Sequence, residues 1–254
     1  MTTPGRLLLV PGPLDFGCAA QVPLADVLPA GTLAAAAGLT HWICENAKTA
    51  RAYLKRIGEL HPLAAPLQQQ ALVELPREVH KKGDHTPHAF DARPLLQPAL
   101  DGHDVGLLSE AGMPAIADPG SSVVRAAHDL GLAVVPLVGP VSLLLTLAAS
   151  GLNGQNFAFV GYLPQDPDGR LRRLRELEKI ALATGQAQLF IETPYRNSAV
   201  WQALLQALQP ATRLAIGSGL TLPSASCLSA TASAWKKRPA PVGNDTPAVF
   251  GIGR

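Results

Sequence analysis

The segment Val105-Gly-Leu-Leu-Ser109-Glu-Ala-Gly-Met-Pro-Ala-Ile-Ala-Asp-Pro-Gly120, together with the residues that follow it, decides the fold class. Its first five residues form an apolar run of the length of a buried strand. A helical pattern follows, capped by Ser121 or Ser122, in which three apolar residues share one face: Val123, Ala127 and Leu130. Leu132–Val138 is a second apolar run. This succession predicts parallel strands joined by a right-handed crossover.

The connection between the first strand and the helix is longer than the 2–6 residues usual at such a position. Glu110–Gly120 contains two carboxylates, two prolines and two glycines. Glycine allows close approach of the backbone to a ligand, and proline stiffens a loop. From composition alone, a ligand-binding loop and an elaborate turn explain the segment equally well.

Two further loops are expected to lie beside this one. Arg6–Val10 is a predicted strand that ends at Pro11–Asp15, and Gly139–Ser142 follows the strand Leu132–Val138 and leads into a helix at Val141–Ser150. Ligands of open α/β sheets bind beyond the carboxyl ends of the strands. The three loops therefore predict a site at one edge of the sheet.

The rest of the chain also mixes strands with helices. His41–Cys44 predicts a strand, Lys48–Ile57 a helix ended by Gly58, and Thr86–Leu100 a further helix. After a boundary near Asn153–Asn156, the predicted elements are the strands Phe157–Leu163, Gln188–Glu192, Arg213–Ser218, Ser226–Leu228 and Ala248–Ile252 and the helices Arg170–Ala183, Asn197–Leu208 and Ala230–Lys237. We expect an α/β protein with two α/β domains, residues 1–153 and 154–254.

Composition narrows the class of protein. The 254 residues are 47% hydrophobic and 16% charged, which is typical of a globular chain. No stretch predicts a membrane span or a signal peptide, and three scattered cysteines favour a reducing, cytoplasmic setting. A net charge of +2 does not indicate nucleic acid. Two basic clusters either contact phosphate or are solvated surface: Arg170–Arg175 and Lys236–Arg238.

The histidines give no metal site. His80, His85 and His88 have a spacing that could ligate a metal, but Lys81-Lys82-Gly83 between them indicates an exposed loop. We therefore predict no bound metal. Nucleotide-binding glycine motifs, Cys-x-x-Cys pairs and nucleophile-elbow serines are absent from the sequence.

The long loop also resembles the signature of a known family. Glu110-Ala-Gly-Met-Pro-Ala-Ile-Ala-Asp-Pro-Gly120 is similar to Asp-Ala-Gly-Thr-Pro-x-Ile-x-Asp-Pro-Gly of the tetrapyrrole methylase superfamily, the class III S-adenosylmethionine-dependent methyltransferases. The branch that contains the ribosomal small-subunit RNA ribose 2′-O-methylase is the most similar. Four further motifs match in the same order: Val138-Gly-Pro-Val-Ser142, Ala149-Ser-Gly-Leu152, Phe159-Val-Gly-Tyr-Leu-Pro164 and Glu192-Thr-Pro-Tyr-Arg196.

The resemblance implies a fold, a cofactor and a partner. It implies S-adenosylmethionine in a cleft between two α/β domains, and a homodimer. Carried over by position, the predicted cofactor contacts are Pro11, Gly12, Ser109, Glu110, Ala111, Gly112, Met113, Pro114, Ile116, Ala117, Asp118, Ser142, Tyr162, Leu163, Leu220 and Pro247.

Other segments depart from the ribosomal branch. Its Thr-Pro-Ile-Gly-Asn-Leu is replaced by Val10-Pro-Gly-Pro-Leu-Asp15, its Glu-Asp-Thr-Arg by a segment beginning Glu45-Asn46, and its Arg-Glu-Leu-Thr-Lys by Gly217-Ser-Gly-Leu-Thr-Leu222. The cofactor loops are thus better preserved than the substrate loops. We expect a divergent methyltransferase acting on RNA. The alternatives are a methyltransferase for a tetrapyrrole or another small molecule, and a cofactor-binding module without transferase activity.

Three carboxylates are candidate general bases for a hydroxyl acceptor: Asp15, Asp118 and Glu192, with Tyr195 as a positioning group. Each also has a structural interpretation. Asp118 can cap the turn at Pro119, Glu192 can pair with Arg196, and Asp15 can be solvated.

Overall fold

The structure is a computed structural model that describes residues 3–76, 78–79, 84 and 90–254. The chain divides into two compact units. The first comprises the residues up to Phe16 together with Val22–Pro140, and the second comprises Gly17–Gln21 together with Val141–Arg254. The three histidines of the predicted loop, His80, His85 and His88, lie outside the described residues.

The first unit is built on a five-stranded parallel sheet in the order β3-β2-β4-β1-β5. The strands are short and largely apolar: β1 (Leu7–Val10), β2 (His41–Cys44), β3 (Ala71–Glu74), β4 (Val105–Leu108) and β5 (Val134–Pro136). In β1 and β4 nearly every residue is buried, as expected of parallel strands covered on both faces. The prediction of parallel strands is confirmed.

Two hydrophobic cores lie on this sheet. The described helices are α1 (Leu24–Val27), α2 (Ala30–Ala37), α3 (Ala47–Gly58), α4 (Gln97–Leu100) and α5 (Ser121–Asp129). One core packs Trp42 of β2 with Leu33 of α2 and Leu54 of α3. The other packs Ile43 of β2 with Val123 of α5. Because successive residues of a strand point to opposite faces, α2 and α3 cover one face and α5 covers the other.

The strand order creates a switch point between β1 and β4. The chain leaves β1 towards β2 on one side and leaves β4 towards β5 on the other, yet β1 and β4 are neighbours. Their connections therefore pass each other on opposite faces of the sheet, with α2 and α3 on one face and α5 on the other, and both begin at the carboxyl ends of the two strands. Ligands of doubly wound sheets bind at this position.

The second unit contains a mixed sheet in the order β6-β7-β10-β8-β9. Its strands are β6 (Phe157–Tyr162), β7 (Ala187–Glu192), β8 (Arg213–Ser218), β9 (Ser226–Thr231) and β10 (Ala248–Gly253). Only β6 and β7 are parallel; the other pairs are antiparallel. The helices are α6 (Ser142–Ser150), α7 (Pro167–Thr184), α8 (Asn197–Ala207) and α9 (Ala232–Trp235). Trp201 and Trp235 pack edge to face in the core.

Helix α6 belongs to the second unit, which corrects the boundary expected near Asn153–Asn156 and the first-domain range 1–153. The helix packs on β8, β9 and β10. A Cβ atom at Gly217 would lie 2.2 Å from Thr146 Oγ1, so the glycine makes room for the helix. Farther along, a Cβ atom at Gly251 would lie 2.8 Å from Leu152 Cδ1. The change between units therefore falls at Pro140–Val141.

Two local predictions were wrong in detail. Neither Ser121 nor Ser122 caps α5; Gly120 occupies the N-cap position, and the side chain that caps the helix is Asp84. The helix expected over Thr86–Leu100 is, in its described part, a 3-10 turn at Arg93–Leu96 followed by α4. None of the helices in the described part of the chain is long and apolar enough to span a membrane.

Candidate functional site

The loops after β1 and β4 are joined by paired glycines. Gly12 N–H donates to the Gly112 carbonyl at 2.8 Å, and Gly112 N–H donates back to the Gly12 carbonyl at 3.1 Å. The next loop also meets them, because a Cβ atom at Gly139 would lie 2.3 Å from Pro11 Cγ and one at Gly112 would lie 3.5 Å from the Pro140 carbonyl oxygen. The predicted gathering of the three loops is therefore confirmed as far as Pro140.

The loop after β4 holds an unusual backbone conformation. Ala115 and Ala117 have φ angles of 63° and 67°, in the left-handed region that residues with a Cβ atom rarely adopt. Between them Ile116 is 46% exposed. Each such residue costs about 1 kcal/mol or more, and strain of this kind concentrates at ligand sites. The conformation favours a ligand-binding loop over an elaborate turn.

Carboxylates surround the start of this loop. Glu110 N–H donates to Glu45 Oε1 at 3.3 Å, and Glu110 Oε1 accepts from the Thr49 hydroxyl at 2.8 Å. Burial raises the pKa of Asp118 to about 7, with further contributions from the charges of Glu45 and Glu110. A carboxyl with this pKa can hold or accept a proton near neutral pH. The three acids also favour a cationic ligand group.

Asp15 has a structural role instead of the solvated one considered for it. Its carboxylate is 4% exposed and forms a two-pronged ion pair with Arg56, with N–O distances of 2.9 and 3.1 Å. The same carboxylate accepts from Val22 N–H at 3.1 Å. Tyr53 hydroxyl donates to the Pro11 carbonyl at 2.8 Å. These bonds fix the loop after β1, and they occupy both oxygens of this candidate base.

Asp84, which the sequence analysis missed, secures the other end of the long loop. It is 3% exposed, and its carboxylate accepts from Gly120 N–H, Ser122 N–H and both serine hydroxyls at 2.6–2.9 Å. Burial alone would raise the pKa of Asp84, but the four hydrogen bonds together outweigh it and lower the pKa. No local pattern could indicate this cap, because Asp84 lies 36 residues before Gly120.

The candidates of the second unit gather at one edge of its sheet. Ala248 pairs with both Glu192 and Ser218, and Gly219 N–H donates to the Pro247 carbonyl at 3.1 Å. The strand ends therefore bring several predicted residues together: Tyr162, Glu192, Leu220 and Pro247. Ser142 is the first residue of α6. Thr146 of the same helix packs against Gly217, near the same edge of the sheet.

Three predicted residues of this unit differ in what they can offer a ligand. Leu163 is 3% exposed and packs in the hydrophobic core with Leu174 and Phe190, so only its backbone is available to a cofactor. Glu192 is buried, and its Oε2 lies 3.1 Å from Arg196 Nη2, which confirms the expected pair. Tyr195, in contrast, is 70% exposed.

A second strained turn follows β8 and was not anticipated. Thr221 has a φ angle of 71°, and its hydroxyl oxygen is buried without a hydrogen-bond partner among the residues that the structure describes. The Ser109 hydroxyl in the first unit is buried and unpaired in the same sense. A buried polar atom of this kind lacks a hydrogen-bond partner, and a bound ligand can supply one. Thr221 adjoins Leu220, which was predicted to contact the cofactor. Its position just after the end of β8 could therefore have identified Thr221 as a candidate as well.

The basic cluster at the start of α7 is only partly free. Arg170 is 7% exposed and donates to the carbonyls of Pro164 and Gln165, so this residue belongs to the fold. Arg173 pairs with Glu176 at 3.2 Å. Arg172 and Arg175 are exposed. Over the described ranges, no three His, Cys, Asp or Glu side chains converge as metal ligands would.

Comparison with known proteins finds relatives of this chain. The ribosomal RNA small subunit methyltransferase I of Mesorhizobium japonicum is 39% identical over 138 residues, which are 54% of this chain and 46% of that protein. The protein of the same name from Xylella fastidiosa is 32% identical over 181 residues, 70% of this chain and 56% of that protein. The matches thus span about half the length of these relatives.

Solved structures show the same fold at low identity. The methyltransferase CobJ superposes with a TM-score of 0.56 at 16% identity, covering 98% of this chain and 94% of that one. Uroporphyrin-III C-methyl transferase from Thermus thermophilus, complexed with S-adenyl homocysteine, gives a TM-score of 0.54 at 18% identity over 98% of both chains.

The family profile of the tetrapyrrole (corrin/porphyrin) methylases matches residues 30–234, well over half of the chain. That match includes the strand β4, the strained loop after it and most of the second sheet. The chain belongs to the tetrapyrrole methylase family of S-adenosylmethionine-dependent methyltransferases.

Proposed function

We propose that this protein binds S-adenosylmethionine at the loop Ser109–Gly120 and transfers its methyl group to RNA. The observation that carries the proposal is the pairing of Gly12 with Gly112 at the switch point of a parallel sheet. Two glycines leave the backbone open to a ligand, as a flat purine or a methionyl chain requires. The complex with S-adenyl homocysteine of a protein of the same fold supports this choice of ligand.

The charges of the loop fit this cofactor. S-adenosylmethionine carries a sulfonium and an ammonium group. Glu45, Glu110 and Asp118 lie close enough for the first two to raise the pKa of the third. A cation among them relieves their mutual repulsion, so its binding favours the ionised form of Asp118. The remaining predicted contacts, Ser142, Tyr162, Leu220 and Pro247, stay predictions from the family resemblance.

In such a reaction the main contribution of the protein is to align the methyl group of the cofactor with the acceptor. The bound cofactor supplies an electrophilic methyl group whose leaving thioether is neutral, so no acid is needed to expel it. The strained loop and its anchors hold the donor in one pose, and alignment of this kind contributes several kcal/mol, up to ~7–11. Asp118 can accept the proton of a hydroxyl acceptor, since its pKa of about 7 matches neutral conditions.

RNA is proposed as the acceptor because these two relatives, at 39% and 32% identity, are named ribosomal RNA small subunit methyltransferases. The resemblance narrows the target group to a ribose 2′-hydroxyl. A tetrapyrrole is the second candidate, because the family profile and the fold neighbours carry that name. The homodimer is proposed on the family resemblance, and the cytoplasmic setting on the three scattered cysteines.

Methyl transfer to RNA from a strain that lacks the gene tests the acceptor. The purified protein is incubated with that RNA and S-adenosylmethionine labelled in the methyl group, and the RNA is digested to nucleosides. We expect label in one 2′-O-methylated nucleoside, and none when RNA from the wild-type strain is used. Label in a tetrapyrrole alone would replace RNA as the acceptor. A protein that binds the cofactor but labels neither would be a binding module.

A further inference from the structure

Helix α7 carries an exposed basic ridge that the proposed methyl site does not use. Asp166 caps the helix by accepting from Gly169 N–H at 2.6 Å, and Leu174, Leu177 and Ala181 face the core. Opposite them, three exposed cations follow the three- and four-residue spacing that places side chains on one face: Arg172, Arg175 and Lys179.

This ridge borders a groove of about 680 Å³ in the second unit. Its other wall is the segment at the end of α8, with Ala207 and Gln209, and Leu182 and Ala183 of α7 also line it. Glu178 holds the two walls together, because its Oε1 accepts from Gln209 N–H at 2.7 Å and from the Thr212 hydroxyl at 2.5 Å. The groove is therefore fixed by a buried carboxylate.

The exposed charge of the groove is positive. Glu178 is the one acid among its described lining residues, and this side chain is 4% exposed and engaged in the two hydrogen bonds. Arg175 and Lys179 stand at the rim. A ligand that fits has regularly placed anionic groups for the rim and uncharged surface for Leu182, Ala183 and Ala207.

We propose that the groove between α7 and the end of α8 binds the sugar–phosphate backbone of single-stranded RNA, with Arg175 and Lys179 on successive phosphates. The inference rests on RNA as the acceptor in the proposed function and adds a second contact surface for it. Contacts to the sugar–phosphate backbone position a nucleic-acid substrate without contributing to the chemistry.

The test compares two double variants with the same change in net charge. Binding of a fluorescent 20-nucleotide RNA is measured by anisotropy at several salt concentrations for the wild type, Arg175→Ala/Lys179→Ala and Lys236→Ala/Lys237→Ala. We expect the first variant to weaken binding at least about fivefold and to reduce the slope of log Kd against log salt by about 1.4, since each contact to a single strand contributes about 0.7. The second variant changes both less than half as much.

Equal losses in the two variants would overturn the groove as the site, because net charge would then explain binding. An unchanged Kd in Arg175→Ala/Lys179→Ala would overturn it as well. Displacement of the RNA by polyglutamate at equal charge concentration would assign the groove to an acidic protein instead. Titration with S-adenosylhomocysteine separates this inference from the cofactor site, since both variants keep the wild-type Kd. A wild type that binds this cofactor product but no RNA would refute RNA as acceptor and anchor together.

Discussion

Gly12 and Gly112 exchange two backbone hydrogen bonds, at 2.8 and 3.1 Å, although 100 residues separate them in the chain. The pair links the loops that leave two neighbouring parallel strands in opposite directions. Because the switch point of the sheet lies there, the pairing fixes the backbone at the position where such folds bind ligands.

Asp118 makes stability depend on pH. Its pKa in the folded protein is about 7, against an ordinary value of 3.8. The folded state therefore disfavours the ionised form, and stability present below pH 3.8 is lost as the pH rises through 7. Asparagine cannot ionise, so Asp118→Asn gains ~1–2 kcal/mol over the wild type between pH 4 and pH 8, allowing for partial solvent exposure. Denaturant unfolding at the two pH values measures this. If the free energies of unfolding of Asp118→Asn and the wild type differed by the same amount at pH 4 and at pH 8, the burial of this carboxyl would be contradicted.

Cofactor binding should depend on the same carboxyl. A cationic ligand favours ionised Asp118, so the Kd for S-adenosylmethionine falls as the pH rises from 5.5 to 7.5. In Asp118→Asn the fall is smaller by several fold, and the titration of the ligand itself is common to both proteins. Calorimetry at the two pH values supplies the ratio. A ratio identical in both proteins would place Asp118 away from the ligand.

Loss of the Asp84 cap should loosen the end of the cofactor loop. We expect Asp84→Ala to destabilise the protein by ~2 kcal/mol and to weaken S-adenosylhomocysteine binding several fold, because Gly120 N–H loses its acceptor. The control is Asp166→Ala, which removes the cap of α7 in the second unit. That variant loses ~1 kcal/mol and keeps its affinity. Matching affinities in the two variants would give Asp84 a purely structural role.

Asp15 should matter for folding and not for proton transfer. Its ion pair with Arg56 is nearly buried, so Asp15→Asn costs ~2–4 kcal/mol by leaving the guanidinium unpaired. Asp104→Asn, which breaks the exposed pair with Arg6, costs less than ~1 kcal/mol. Thermal unfolding gives both values. If Asp15→Asn were as stable as the wild type yet transferred methyl groups far more slowly, Asp15 would be the base after all.

The elements that could be predicted are those that depend on the local sequence pattern. β2 and β8 have the bounds expected from their apolar runs, and the long loop after β4 was recognised from its glycines and prolines. The features that were missed depend on residues far apart in the chain. Asp15 was considered solvated because Arg56, its partner, lies 41 residues away.

The assignment of α6 failed for a different reason. Its sequence Ser142-Leu-Leu-Leu-Thr-Leu-Ala-Ala-Ser150 is apolar on nearly every face, so periodicity cannot tell which sheet it covers. Glycines on the partner strands decide this, since Gly217 and Gly251 leave space for Thr146 and Leu152. A packing contact between two elements cannot be predicted from the sequence pattern of either element alone.

The most direct test of the central claim is calorimetric titration of S-adenosylhomocysteine into Gly112→Ala and Gly131→Ala. Both glycines have φ angles near 70°, so both variants carry the same backbone strain of about 1 kcal/mol. A Cβ atom meets Leu14 and Pro140 at Gly112 and nothing within 4 Å at Gly131. We predict a Kd at least tenfold weaker in Gly112→Ala and unchanged in Gly131→Ala, an order-of-magnitude expectation for an obstructed site. Wild-type affinity in both variants would contradict a cofactor site at the paired glycines.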